Sequence, residues 1–131
     1  MCKSILYGAN TGTQAVTAGS PINFGGTVRR FGRDLNMSGG NVVAYGSGYY
    51  EVNANLTFVA DTAGEVNVAV YKDGIMITGA KASVPGTAGI EYQITIPAVI
   101  RNKCCAESEI TVIPDVNITL TNAAIVAKKV A

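Results

Sequence analysis

The feature that most constrains this chain is a run of strict two-residue alternation starting at Tyr49. In YYEVNANLTF, Tyr50, Val52, Ala54, Leu56 and Phe58 fall on one side, and Glu51, Asn53, Asn55 and Thr57 on the other. A helix would scatter both sets around its circumference. A strand gathers them, because its successive side chains point to opposite faces. The same period returns in EVNVAVY, with Val66, Val68 and Val70 inward, and in IEYQITIPAVI, with Ile90, Tyr92, Ile94 and Ile96 on one face. EITVI, from Glu109 to Ile113, is a shorter run of the same kind.

Turn signals punctuate these runs. Asp73-Gly74 sits between strand-like AVY and IMI, and a two-residue hairpin of this kind needs positive φ at both central positions. IMITGAKASV runs to Val84, PGTAG (Pro85 to Gly89) breaks the chain, and Pro114-Asp115 closes EITVI. Before Tyr49, SILYGA reads as the first strand, VRRF as part of another, and Gly39-Gly40 as a turn into NVVAY. VNITL and AAIVAKKV complete the chain. No segment holds a helical period, and there is no linker, tandem repeat or low-complexity block.

Residues 1–131 are therefore expected to form a single all-β domain. The pattern is that of a two-sheet antiparallel jelly-roll sandwich of roughly eight to ten strands. Its expected core is Tyr50, Val52, Leu56, Phe58, Val68, Val70, Tyr92, Ile94 and Ile96.

Hydrophobic residues make up 48% of the chain and charged ones 15%, so the surface is poor in charge and must be covered by uncharged polar groups or by a partner. Ten basic and nine acidic side chains leave a net charge of +1. That balance offers no overall field for gripping nucleic acid or an anionic membrane. Arg29, Arg30 and Arg33 around Phe31 are the strongest local basic signal. They could hold phosphate or sialic acid; the plainer reading, adopted here, is a solvated strand edge where charge discourages stray pairing. No apolar run approaches a membrane span, and MCKSILYGANTG lacks the apolar stretch and cleavage site of a secretory signal. Synthesis in a host cytoplasm without membrane insertion is expected.

The chain has no histidine, which removes Ser-His and Cys-His nucleophile pairs and the usual zinc sites. Cys2, Cys104 and Cys105 are an odd, sparse set. Adjacent Cys104 and Cys105 lie about 3.8 Å apart at Cα, below the usual span of a disulfide. An intermolecular bridge or a thiol metal site are the functional readings, against a buried thiol and one near an interface, which is preferred. Glu107 and Glu109 point the same way on one strand, but near Lys103 they read as a solvated strand end. The expectation is a non-enzyme with no catalytic residues, metal or cofactor, and no nucleic-acid partner.

Two sets of motifs carry a resemblance. Gly48-Tyr49-Tyr50-Glu51-Val52 resembles the opening of the central inner strand of the trimeric jelly roll of tumour-necrosis-factor-like (TNF-like) and complement-like domains. VAVYKDG (Val68 to Gly74) is similar to that family's hairpin. The closing AAIVAKKVA is similar to the last strand of the exosporium collagen-like glycoproteins. Over its whole length the chain also resembles short virion structural proteins from phages and prophages of Gram-positive bacteria. That likeness runs through Ser4 to Thr11, FGGTVRRFG (Phe24 to Gly32), Ser38 to Gly40, Gly48 to Tyr50, Lys72 to Gly74 and Arg101 to Cys105.

These resemblances imply a homotrimer at a virion surface, in contact with other virion proteins, as a head decoration, a head fibre or a fibre-tip knob. They further imply that one face of the inner sheet lies around the three-fold axis. Glu51, Asn53, Asn55 and Thr57 would then face the axis with Gln93 and Thr95, flanked by aliphatic contacts from Ile5, Tyr7 and Ile125. The alternatives are a module that binds a host-surface glycan through the loops Asp61–Glu65 and Pro85–Gly89, and a spore-surface structural protein.

Overall fold

The structure, a computed structural model, describes residues 3–103 and 106–131. Among them are eleven strands and no helix: β1 (Ile5–Asn10), β2 (Gln14–Val16), β3 (Gly26–Phe31), β4 (Leu35–Ser38), β5 (Asn41–Ala44), β6 (Gly48–Ala60), β7 (Gly64–Lys72), β8 (Ile75–Gly86), β9 (Glu91–Asn102), β10 (Ser108–Pro114) and β11 (Ile118–Lys129). One sheet runs β3-β1-β11-β6-β9, with β2 also beside β11, and the other runs β4-β5-β10-β7-β8. Every pairing is antiparallel. This is the two-sheet jelly roll that the alternation predicts, slightly richer in strands.

The inner faces of the two sheets meet in one apolar core. Tyr50, Val52, Ala54, Leu56 and Phe58 of β6 are all fully buried, and Val66, Val68 and Val70 of β7 and Ile94 and Ile96 of β9 lie with them. Tyr92 differs from expectation in being only half-buried. Its ring tilts against Phe58 at 6.0 Å, and its hydroxyl lies at the surface, accepting from Thr87 N at 2.8 Å. Ile90 precedes β9 and is exposed, because the alternation reaches it but the pairing does not.

Local sequence explains the turns. Asp73 and Gly74 have φ of 52° and 83°, as the β7–β8 hairpin requires. Gly39 and Gly40 do the same at the β4–β5 hairpin. The irregular stretch between β2 and β3 closes the sandwich by sending Ile22 and Phe24 into the core. Ile22 N donates to Val112 O at 2.8 Å and Phe24 N to Gly40 O at 2.9 Å, so its backbone is satisfied without joining a sheet.

VNITL and AAIVAKKV join into the single strand β11, broken by a register shift against β6 between Leu120 and Asn122. That irregularity reverses which residues face inward. Ile118 and Leu120 are buried before it; Ala123, Ile125 and Ala127 are buried after it. Ile125, expected at a trimer axis, is therefore inside the protomer with no exposed surface. An extra residue in one strand changes the parity of its side chains, and parity alone decides the face.

Candidate functional site: the outer face of the six-stranded sheet

The register places the expected axis residues in rows across the outer face. Tyr7, Val126, Asn53 and Pro97 form one row, and Ala9, Ala124, Asn55 and Thr95 the next. Ile5, Lys128, Glu51 and Val99 lie on one side, and Thr57 pairs with Gln93 on the other. Of the nine residues expected there, eight share this face, and Ile125 does not.

In its polar column, Asn53 Nδ2 donates to Glu51 Oε1 at 3.2 Å, and Gln93 Nε2 approaches Asn55 Oδ1 at 3.5 Å. Lys128 stands 3.9 Å from Glu51. Beside this column the face is apolar. Ile5 and Tyr7 are 43% and 38% exposed, and Ala124 and Val126 are half-buried between their neighbours. Ala124, Val126, Pro97 and Val99 were not singled out from the sequence. The signal was the unbroken small and apolar run AAIVA, since a strand covered on both faces loses its alternation.

The register also sorts the charges along the strands. Asp61, Glu65, Glu91 and Asp115 lie at the end where β6 finishes, and Lys81 shares a surface cleft with Asp115. At the opposite end, Lys3, Arg30, Arg33, Lys128 and Lys129 gather where β1 begins and β3 and β11 finish, and Lys72, Arg101 and Lys103 lie across the same end. The carboxylates there are Asp34, Glu51, Asp73, Glu107 and Glu109. Asp34 is bound to Lys129 at 2.9 Å. A net charge of +1 thus conceals an axial separation.

The three arginines lie on or beside β3, an edge strand, as expected of a charged sheet edge. Arg30 Nε donates to Leu35 O at 2.8 Å. The loops proposed for a glycan border a cleft of about 540 Å³ lined by Glu65, Ser83 and Thr87 among others. Tyr92 is the aromatic beside it, and its ring lies against Phe58 instead of forming a platform. Glu107 and Glu109 are exposed. Among the described residues no group of three acidic, histidine or cysteine side chains is placed to hold a metal ion. Cys2, Cys104 and Cys105 lie outside the described residues.

Strand order, closure and the split into one six-stranded and one five-stranded sheet define a TNF-like jelly roll. Solved structures share it over almost the full chain. Murine APRIL is similar with a TM-score of 0.75 at 16% identity, covering 98% of this chain and 99% of that one. The globular domain of zebrafish complement 1qA has a TM-score of 0.70 at 9% identity over 95% and 94% of the two chains. The vertex protein P5 of PRD1 has a TM-score of 0.66 at 18% identity over 98% and 97%. At such identities the likeness is one of fold. No protein-family model matches the chain, and no curated protein matches it in sequence.

Proposed function

We propose that this chain is a non-enzymatic structural protein of a virion surface, a head decoration, head fibre or fibre-tip knob, that assembles as a homotrimer through the outer face of its six-stranded sheet. The observation that carries the reading is β11. Its inward residues build the core, and its outward residues Ala124 and Val126 are small or apolar too, standing across from Asn55 and Asn53. An apolar complement on both faces is characteristic of a strand covered on both sides, and a single chain covers only one.

A closed three-fold assembly suits the rest of the face. The Asn53, Asn55, Gln93 and Thr95 side chains carry both donors and acceptors, so symmetric copies can satisfy one another around an axis. The likeness in fold to PRD1 vertex protein P5 supports the virion setting. The spore-surface alternative rests on the AAIVAKKVA ending, which β11 needs for packing in any sandwich of this kind. The glycan-binding alternative lacks the aromatic platform a sugar ring uses.

Sedimentation equilibrium of the purified chain tests the assembly. A trimer mass at micromolar concentration is expected, and a monomer mass overturns it. Capsid and tail genes beside its own gene support the virion setting, whereas sporulation genes there sink it.

A further inference from the structure

We propose that the basic end of the sandwich is a docking surface for an acidic polypeptide segment carrying apolar side chains, added as a strand along the free edge of β3. The proposal goes beyond the trimer reading. It is argued for a single chain, and its cleft shares Ile5 and Lys128 with the outer face of the six-stranded sheet.

The first observation is β3 itself. All six of its residues are exposed, including Val28 at 44% and Phe31 at 65%, whereas every other strand keeps at least one residue in the interior. It pairs with β1 on one side and ends the sheet on the other, so its outer edge offers unpaired backbone donors and acceptors. A strand that buries none of its side chains gains little from the core. It is the segment of this molecule that most lacks a cover.

The second is what lies beside β3 on its paired side. A cleft of about 370 Å³ at the ends of β3, β1 and β11 is lined by Ile5, Phe31 and Val130 together with Lys3, Lys128 and Lys129. Lysine stems extend such an apolar surface while their ammonium groups stay in water. Arg33 and Lys3 make no hydrogen bond or ion pair among the described residues, so their charges are available to a partner.

These features select the partner's chemistry. The cations call for carboxylates, the cleft for an apolar side chain, and the free edge for a polypeptide backbone. A nucleic acid meets only the first. At the far end, Asp61, Glu65, Glu91 and Asp115 disfavour an acidic partner, so the charge separation also sets which end is approached.

The test uses the full chain and a short synthetic peptide alternating glutamate and leucine, read by fluorescence anisotropy. Saturable binding in about 50 mM salt that weakens severalfold or more at about 300 mM is expected. The Lys3→Glu/Arg33→Glu variant should bind at least tenfold more weakly, and Phe31→Ser should also weaken it. Asp61→Asn/Glu91→Gln should leave it unweakened. If the charge-reversed protein does not fold by its melting curve, Lys3→Gln/Arg33→Gln replaces it, with a severalfold loss expected. Absent binding, binding unchanged in these variants, or stronger binding to an oligothymidylate or to phosphatidylserine vesicles overturns the proposal. Sedimentation of the same samples separates the two readings. A monomer with this binding pattern keeps the docking surface and loses the trimer, while a trimer without binding loses the docking surface alone.

Discussion

Ile125 and Val126 are consecutive residues that serve opposite faces of β11. Ile125 is wholly inside the sandwich, and Val126 stands across from Tyr7 on one side and Asn53 on the other, on the outer face. The pair separates folding from assembly. Ile125→Ala should cost about 2–5 kcal/mol of protomer stability through lost burial and the cavity left behind. Val126→Lys should change protomer stability by no more than about 0.5 kcal/mol, as a surface change does, while shifting the sedimenting species from trimer to monomer. Denaturant melts and sedimentation on both variants check this.

Asn53 lies in the same row and tests the polar column. Asn53→Leu leaves Glu51 Oε1 without the donor it has at 3.2 Å, and in a trimer leaves symmetry-related amides unpaired. A penalty of about 1–3 kcal/mol per unpaired buried group is expected. The trimer should then dissociate at higher protein concentration than the parent. A trimer of unchanged strength would place Asn53 away from the axis.

Leu56 and Phe58 are fully buried on the inward face of β6. Either one replaced by alanine should lower stability by about 2–5 kcal/mol. Melting curves unmoved by both would mean that the wrong face of β6 has been assigned to the core.

Tyr50 donates its hydroxyl to Gly46 O at 2.5 Å beneath the Asp34–Lys129 pair. Burial raises its pKa above the usual tyrosine value, and the Asp34 charge adds to this, while Lys129 opposes it. The unfolded chain therefore releases this proton first as pH rises. The stabilisation is complete below pH about 10 and is lost as pH climbs through the folded-state value. Melting temperature should fall above pH about 10, and less steeply in Tyr50→Phe. Parallel alkaline profiles for the two proteins would contradict this.

Gly32 links β3 to the turn holding Asp34, at a φ of 86°. A Cβ there would meet Lys3 O and Ser4 Oγ, whereas one on Gly89, at a φ of 79°, would meet nothing. Gly89→Ala should cost only its backbone strain, about 1 kcal/mol, and Gly32→Ala clearly more. Equal melting temperatures for the two would show that the turn at Gly32 yields.

Much of this could be read along the chain because its signals are local. β6 announces its inward face in every second residue, since one face is apolar and the other polar. Asp73-Gly74 names its turn because few other pairs tolerate that backbone. Ile22 and Phe24 were not legible, since they reach the core from an irregular stretch with no period to betray them. β11 was legible as a strand but not as an orientation. From Ala123 to Ala127 both of its faces are apolar or small, so composition cannot choose between Ile125 and Val126. The choice falls to the register shift between Leu120 and Asn122, which exists only in the pairing with β6. The charges follow the same division. Counting along the chain yields +1 and no more, because a sum has no position. Folding carries Lys3, Arg33 and Lys128, far apart in sequence, to one end and Asp61, Glu91 and Asp115 to the other. Coulomb interactions depend on those distances, so the field of this protein belongs to its fold.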